Sequence, residues 1–293
     1  RIGAFELEDE IARGGMGVVY QAKRIEGGFE QTVAIKVLKR GFDTGDFVRS
    51  FRAEQQILAN LEHPHIARLL DGGATEDGLP YLVMELVNGT RLDEYCRRRQ
   101  LDLLARLRLF AKICDAVHTA HQHMVVHCDL KPSNILVTAE GEPKLLDFGI
   151  AKVMRQDPDS TTRSFSMRLG TPPFASPEQT SGGDITSSSD VYGLGAILFL
   201  LLTDQKPRKA QSVDNPVQLP SRAVVDGKVG SQDSDAHPAP ADRRALKGDL
   251  DAIVLKAMAQ NPADRYDSVA AFGEDLDRHR KRLPVRAQTY TWS

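Results

Sequence analysis

The spacing of apolar positions changes once along the chain, near residue 90. Before that point the apolar residues form short runs that are rich in β-branched side chains and separated by Gly- and Asp-containing turns, as is typical of strands. The clearest runs are VVYQA, TVAIKVL and PYLVMEL. One stretch, DFVRSFRAEQQILANL, repeats its apolar residues near the helical period and predicts a helix among the strands.

After residue 90 the pattern is helical. In LDLLARLRLFAKICDAVHTAHQH one face of a helix would carry a continuous apolar stripe. The stripe consists of Leu103, Leu104, Leu107, Phe110, Ala111, Cys114 and Val117. The run SDVYGLGAILFLLL is apolar all round, which predicts a helix buried on every side. Two more helical patterns follow, GDLDAIVLKAMA and SVAAFGEDLDRHRKRL.

These patterns predict an α+β fold with two lobes. We place a small β-rich lobe with one main helix at residues 1–87 and a larger α-helical lobe at residues 88–293. A cleft between two such lobes is a usual place for a ligand. Residues 151–176 and 204–245 lack periodicity, and a segment as long as the second is usually functional or disordered.

Composition narrows the class of protein. Hydrophobic residues make up 41% of the 293 residues and charged residues 27%, which suits a soluble protein with a core. The formal net charge of −2 gives no reason to expect nucleic acid as a partner. Three cysteines are too few for a disulfide framework and indicate a reducing compartment. The longest apolar run is too short to cross a bilayer, so we predict no membrane segment in the chain.

The first candidate chemistry lies in the glycine turn of IARGGMGVVY, which contains Gly14, Gly15 and Gly17. Glycines let backbone N–H groups approach phosphate oxygens closely, although an ordinary hairpin turn also contains them. Rossmann and P-loop sites continue from their glycines into a helix, whereas a predicted strand follows here. A phosphate would therefore lie beneath a β-hairpin.

A second candidate is Lys36 in VAIK. Alternation along a strand places Lys36 on the face of Ala34, opposite Val33 and Ile35. Taken alone, Lys36 is as well explained by a surface lysine with a half-buried stem. Glu54, on the predicted helix, could pair with Lys36 and hold it in place for phosphate oxygens.

Five segments in order resemble one family: the glycine turn, VAIK, HCDLKPSN, LDFG and SPE. They resemble the eukaryotic-type (Hanks-type) serine/threonine protein kinases, with a bacterial receptor-kinase character in GGMGVVY, FASPEQ and DVYGLGAIL. The similarity runs from about Phe5 to Leu283. It implies the two-lobed protein-kinase fold and an enzyme that transfers the γ-phosphate of ATP to a serine or threonine hydroxyl of a protein substrate. The implied metal is Mg²⁺, with Mn²⁺ as an alternative.

The resemblance also assigns roles to residues. Asp129 falls on the catalytic base, and Lys131 on a contact to the γ-phosphate. Asn134 and Asp147 fall on the metal ligands. Lys36 falls on the lysine that holds the α- and β-phosphates, with Glu54 as its partner. The implied nucleotide-binding positions are Ala12, Gly14, Gly15, Gly17, Val19, Ala34, Lys36, Met84, Glu85 and Val87.

Other matched positions have structural roles in the family. The implied activation segment spans residues 147–178, where Thr171 would support Asp129 and Glu178 would pair with Arg265. Asp190 would anchor the catalytic loop. A column of side chains between the lobes would consist of Leu58, Leu69, His127 and Phe148.

Three features depart from the family's pattern. Ala12 stands at the place of the first glycine, from which we expect a modest effect. Cys128 stands where most members have an arginine that receives a phosphate of the activation loop, and cysteine lacks that positive fork. We therefore predict that activity does not require phosphorylation of residues 151–170. Cys128 is either a redox switch or a small buried residue, and nothing in its local sequence suggests a lowered pKa.

The third departure follows LLTDQKPRKA, where family members place a further helix. The stretch is dominated by Pro, Ser, Asp and Gly and has no helical stripe. We predict that this helix is short, displaced or absent, with part of residues 205–245 mobile.

Two alternatives stay open from sequence. One is a pseudokinase that binds ATP and acts as a signalling scaffold; the other is a small-molecule kinase of similar fold, which the peptide platform GTPPFASPE argues against. The resemblance implies a cytoplasmic location, either free or as the cytoplasmic domain of a membrane-anchored receptor kinase. It leaves a homodimer open.

Overall fold

The computed structural model of the protein describes residues 1–15, 17–26, 30–39, 55, 58–148, 173–208, 218–224 and 241–288. Over these residues the first lobe contains one antiparallel sheet with the strand order β1-β2-β3-β5-β4. Its strands are β1 (Phe5–Arg13), β2 (Gly17–Arg24), β3 (Thr32–Leu38), β4 (Leu69–Ala74) and β5 (Pro80–Glu85).

The two faces of β3 serve different cores, as alternation along the strand predicts. Val33 and Ile35 are fully buried in a small cluster with Phe5 and Val83. Leu38 belongs instead to the large core that runs through the second lobe. Lys36 is therefore on the face of β3 that is turned toward the second lobe.

The predicted helix before β4 lies mostly outside the described residues, and Glu54 lies outside them too. Of its apolar positions, Leu58 and Leu61 are described and both are buried.

The second lobe is mainly helical, with a small antiparallel sheet at its border with the first. That sheet consists of β6 (Gly89–Arg91), β7 (Ile135–Thr138) and β8 (Pro143–Leu145). The longer helices are α1 (Leu92–Arg98), α2 (Leu103–Gln122), α4 (Ser187–Thr203), α7 (Asp249–Ala257) and α8 (Val269–Arg280). The short ones are α3 (Pro177–Ser181), α5 (Pro220–Ala223) and α6 (Arg243–Leu246).

Helix α4 is the centre of the large core. Every residue from Ser189 to Thr203 is buried, which confirms the prediction from its all-round apolar pattern. Helices α2, α7 and α8 pack against it. No helix among the described residues has both the length and the apolar composition that crossing a bilayer requires.

The stripe predicted on α2 is wrong at one position. Leu104 is 44% exposed, whereas Leu107, Phe110, Cys114 and Val117 are buried. Arg106 faces the core instead, where it is only 3% exposed and pairs with Asp204 at the end of α4, at 2.7 Å. That buried ion pair fixes the rotation of α2 and leaves Leu104 facing solvent.

The described part of residues 205–245 contains only short helical elements, α5 and the start of α6. Helix α5 is attached to α7, since the Ser221 hydroxyl donates to Asp251 at 2.6 Å. Residues 209–217 and 225–240 lie outside the described residues, so mobility in this stretch stays a prediction.

Candidate active site

The loop of residues 125–134 is held from the core by one carboxylate. Asp190 on α4 is 2% exposed and accepts hydrogen bonds from the backbone N–H groups of His127 (2.7 Å) and Cys128 (2.9 Å). The ring of His121 adds a third contact to the same carboxylate at 2.8 Å. The buried carboxylate thus has hydrogen-bond partners and fixes the position of the loop, the role that the resemblance implied.

At Cys128 the loop makes a tight turn. The φ angle of Cys128 is +64°, and the N–H of Asp129 donates to the carbonyl oxygen of His127 at 2.9 Å. A three-residue turn with positive φ at its centre is rare and strained. The Cys128 side chain is buried and its Sγ lies 3.4 Å from the carbonyl oxygen of Val126. Burial favours the interpretation of Cys128 as a small structural residue over a redox switch.

The predicted catalytic side chains meet directly after this turn. Asp129 Oδ2 accepts hydrogen bonds from Lys131 Nζ at 2.7 Å and from Asn134 Nδ2 at 3.1 Å. The same Asn134 amide nitrogen also donates to the Asp129 carbonyl oxygen at 2.9 Å. Asp129, Lys131 and Asn134 therefore form one cluster.

Asp147 lies next to this loop, directly after β8 and Leu146. The N–H of Leu146 donates to the carbonyl oxygen of Asn134 at 2.8 Å, so Asp147 comes directly after a backbone contact to Asn134. From the other lobe, Lys36 Nζ reaches Asp147 Oδ1 at 3.0 Å. The two lobes thus meet at an ion pair between residues that the resemblance assigned to phosphate and to metal.

His127 supports the turn as a neutral ring. Complete burial lowers its pKa through desolvation, which outweighs the opposing effect of Asp190 and Asp129. Its Nε2 lies 2.9 Å from the carbonyl oxygen of Leu146, so Nε2 carries the proton. Its Nδ1 then accepts from the N–H of Asp129 at 3.2 Å.

The column implied between the lobes is present in part as direct contacts. The rings of His127 and Phe148 lie 4.7 Å apart between centroids. Phe148 in turn lines a cavity of about 40 Å³ that is also bordered by Leu58, Leu69 and Met84. Asp147 borders the same cavity, which places Met84 near the candidate phosphate and metal residues.

The glycine turn is joined to the strand that carries Lys36. A Cβ at Gly17 would lie 2.2 Å from the carbonyl oxygen of Val37, so only glycine fits this approach of β2 to β3. Gly14 closes the turn by donating to the Gly17 carbonyl oxygen at 2.9 Å, and Lys39 Nζ donates to the Gly14 carbonyl oxygen at 2.7 Å. In the sheet register, Val19 lies between Ala12 and Lys36.

The hinge residues follow at the end of β5. Ala34 pairs with Met84 in the register of β3 and β5. The Glu85 side chain accepts from the N–H of Arg68 at 3.2 Å and binds Lys144 at 2.9 Å. The Glu85 side chain therefore has partners within the protein, and Val87 follows it half-buried. The backbone role of both residues toward adenine stays a prediction.

The larger described cavity, about 300 Å³, lies on the Lys144 side of Glu85 and includes none of the candidate catalytic residues. Its lining consists of Gln31, Thr32, Arg68, Leu70, Glu85, Leu86 and Lys144. Cavity size therefore does not locate the chemistry in this protein.

Two predicted site residues, Glu54 and Thr171, lie outside the described residues, as do residues 151–170. Gly15 is described and exposed in the glycine turn. The other predicted nucleotide, catalytic and metal positions are all among the described residues.

The residues present fit a hard divalent cation. Asn134 donates from its amide nitrogen to Asp129, so its amide oxygen can act as a metal ligand. Asp147 offers a carboxylate one residue after the backbone contact of Leu146 to Asn134. Mg²⁺ typically takes one or two protein oxygens and completes its shell with phosphates and water. No group of three or more His, Cys, Asp or Glu side chains that could hold a metal occurs in the part of the chain that the structure describes.

Glu178 and Arg265 form the ion pair that the resemblance implied, with two contacts of 2.7 Å. Arg265 is 2% exposed. Desolvation alone would raise the pKa of Glu178, but hydrogen bonds from Arg265 and Ser189 outweigh it and lower that pKa to about 2. The pair attaches α3 to the segment before α8.

Sequence reasoning missed Gln179. Its side chain and that of Ser176 form a capping box at the start of α3. Its amide nitrogen also donates to the carbonyl oxygen of Cys128 at 2.6 Å. The SPEQ pattern could have predicted the capping box. The bond to Cys128 depends on tertiary packing and has no sequence signal.

Comparison with known proteins agrees with this geometry. The family model described as protein kinase domain matches residues 5–273. Serine/threonine-protein kinase PknB of Mycobacterium tuberculosis (strain ATCC 25618 / H37Rv) is 34% identical over 97% of this chain and 44% of the relative. PknB of Mycobacterium leprae is 35% identical over the same shares. The chain thus spans less than half the length of these curated relatives.

Solved structures agree on the fold. The crystal structure of the Mycobacterium tuberculosis PknI kinase domain superimposes with a TM-score of 0.67 and covers 95% of this chain and 97% of that domain. Its sequence identity is 23%, so this likeness concerns the fold alone.

Proposed function

The chain belongs to the protein kinase family, and we propose that it transfers the γ-phosphate of ATP to a serine or threonine hydroxyl of a protein substrate. The observation that supports this most is the Lys36–Asp147 ion pair next to the cluster of Asp129, Lys131 and Asn134. The backbone bond from the N–H of Leu146 to the carbonyl oxygen of Asn134 links the two groups. A kinase that had lost its chemistry would commonly lack one of these residues, and all are present.

The residue types fit the demands of phosphoryl transfer, which depends on positioning and on the neutralisation of negative charge. Lys36 would hold the α- and β-phosphates at the end of the glycine turn. Asp129 would orient the acceptor hydroxyl and take its proton, while Lys131, 2.7 Å from Asp129, would stabilise the γ-phosphate. Asn134 and Asp147 would hold Mg²⁺ or Mn²⁺, which supplies further positive charge at the phosphates when bound.

The test is transfer of labelled γ-phosphate to a generic protein substrate by the unaltered chain and by Asp129→Asn. A positioned base contributes roughly 10²- to 10⁴-fold, so we expect a loss of at least about 100-fold with nucleotide binding retained. Asp115→Asn, at an exposed aspartate of α2, is the matched control and should keep full activity.

Failure would identify one of the alternatives. Nucleotide binding without transfer by the unaltered chain would favour a pseudokinase scaffold. Transfer to small alcohols, with protein substrates refused, would favour a small-molecule kinase.

The setting of the catalytic domain is a further part of the proposal and rests on the resemblance. We propose a cytoplasmic location, either free or as the cytoplasmic domain of a longer membrane-anchored receptor kinase, with a homodimer as the candidate assembly. Sedimentation of the purified chain at assay concentration tests the dimer, and a single monomeric species would contradict it.

A further inference from the structure

We propose that Gln179 is a positioning residue, whose side-chain amide holds the turn before Asp129 and couples the end of the activation segment to the catalytic base. This inference rests on the proposed function, since it concerns the regulation of that site. It starts from the strained residue Cys128.

Both backbone polar groups of Cys128 are bound by side chains. Its N–H donates to Asp190 on α4 at 2.9 Å, and its carbonyl oxygen accepts from Gln179 on α3 at 2.6 Å. A left-handed conformation at a residue with a Cβ persists only where the surroundings hold it. Here two separate elements hold it, α4 from the core and α3, which begins at the end of the activation segment.

The Gln179 amide is oriented at both ends. Its oxygen accepts from the N–H of Ser176 at 2.9 Å while its nitrogen donates to Cys128. A flip of the amide would place like groups together at both contacts. Glu178, the preceding residue, is held by Arg265, so the helix that carries Gln179 is fixed to the core of the lobe.

The contact acts on Asp129 through one peptide unit. The carbonyl of Cys128 and the N–H of Asp129 belong to the same planar group, so fixing one end fixes the other. The Asp129 N–H is itself bound to His127 at 2.9 Å. Gln179 therefore sets the plane from which the Asp129 side chain projects.

This arrangement needs no charged group at position 128. In the family pattern an arginine at this place receives a phosphate, whereas in this chain an amide contacts the backbone of Cys128. The contact between the end of the activation segment and the turn before Asp129 then forms on folding and does not require phosphorylation.

The experiment uses Gln179→Glu. A glutamate keeps an oxygen for the N–H of Ser176, so the capping box survives, but it places a carboxylate oxygen against the carbonyl oxygen of Cys128. We expect kcat to fall about tenfold, equivalent to about 1.4 kcal/mol, with the KM for ATP and the melting temperature nearly unchanged. Gln122→Glu, on the exposed side of α2, makes the same change of charge away from the site and should leave kcat unchanged.

Hydrogen exchange of the peptide that spans residues 125–134 gives a second readout that does not need activity. We expect faster exchange in Gln179→Glu than in the unaltered chain or Gln122→Glu, even if the unaltered chain transfers no phosphate, in which case only the proposed function fails. A fall in kcat below about threefold with unchanged exchange overturns the inference. So does a joint loss of ATP binding and melting temperature, because the role would then be structural.

Discussion

Cys128 shows how one residue alters the requirements of a site without entering its chemistry. The position is buried, has a left-handed backbone, and is bound at its N–H by Asp190 and at its carbonyl oxygen by Gln179. A cysteine side chain is small and apolar enough to be buried here, and it offers no positive charge to a phosphate. Phosphorylation at the activation segment therefore has no receptor at position 128.

The prediction at this scale concerns the five hydroxyl residues between 160 and 166. Replacement of Ser160, Thr161, Thr162, Ser164 and Ser166 by alanine should leave kcat within about threefold, a change below about 1 kcal/mol. Steady-state kinetics on a protein substrate measures it. The same five replacements in a Cys128→Arg chain provide the comparison, because an arginine there could receive a phosphate. A collapse of the rate in the five-alanine variant that retains Cys128 would contradict the prediction.

At the residue scale the site was predictable where its members are close in sequence. Asp129, Lys131 and Asn134 lie within one short loop, so their meeting follows from local structure. The pairing of Lys36 with Asp147 joins two lobes, and only the resemblance implied that both residues belong to one site. The role of Gln179 could not be predicted, because its partner is a backbone carbonyl, and every residue type has one.

At the scale of elements, the apolar pattern predicts which residues are buried when a helix has core on all sides. When a helix has core on one side only, tertiary contacts decide which residues are buried. Helix α4 is apolar on all sides, so its burial did not depend on its rotation. Helix α2 has an apolar and a polar side, and the buried pair of Arg106 with Asp204 decided which edge faces solvent. An arginine at a core position could not be predicted from an apolar stripe.

Glu178 should make the stability of the protein depend on acid pH. Its pKa is lowered from 4.5 to about 2, so its contribution is complete above about 4.5 and is lost as the pH falls toward 2. Glu178→Gln should lower the free energy of unfolding by about 2–3 kcal/mol at pH 7 and by little near pH 2. Urea unfolding at both pH values measures this difference.

The control for this prediction is Glu274→Gln, which removes an exposed ion pair with Arg286 and should cost less than about 1 kcal/mol. An equal effect of Glu178→Gln at both pH values would count against an ionic role of Glu178.

Two helical glycines should respond to alanine with opposite signs. A Cβ at Gly195 on α4 would lie 2.8 Å from Ala257 and Met258, whereas one at Gly273 on α8 would lie 3.9 Å from Cys114. Gly195→Ala should therefore lower the free energy of unfolding by about 1–3 kcal/mol through overpacking. Gly273→Ala should raise it by about 0.5–1 kcal/mol, because alanine reduces the freedom of the unfolded chain. Denaturant titration of both variants measures this, and the same sign for both would refute the packing argument.

At the scale of the whole molecule, lysine–carboxylate pairs join the described parts of the two lobes on either side of the hinge. Lys36 meets Asp147 within the cleft, and Glu85 of β5 meets Lys144 of β8 behind it. The division into a β-rich and a helical lobe could be predicted from hydrophobic periodicity alone. The contacts between the lobes could not, because they depend on how two separately formed cores come together.

Binding of ATP and metal should stabilise the whole molecule, since ligands in the cleft bind only the folded chain. At a concentration of about 100 times Kd, Mg²⁺ and ATP together should add about 2.7 kcal/mol to the free energy of unfolding. Chelation of the metal should remove part of that gain, and Asp147→Asn should remove a similar part in the presence of metal. Thermal unfolding measures it, and a gain that is independent of metal would contradict the assignment of Asp147.

The cavity behind the hinge has a practical consequence for inhibitor design. Compounds directed at the adenine site must discriminate among many proteins that share its chemistry. A molecule seated in this cavity would contact Gln31, Arg68 and Lys144, which are not predicted nucleotide positions, as well as Glu85. Selectivity for this protein could then be sought through side chains that are not part of the adenine site.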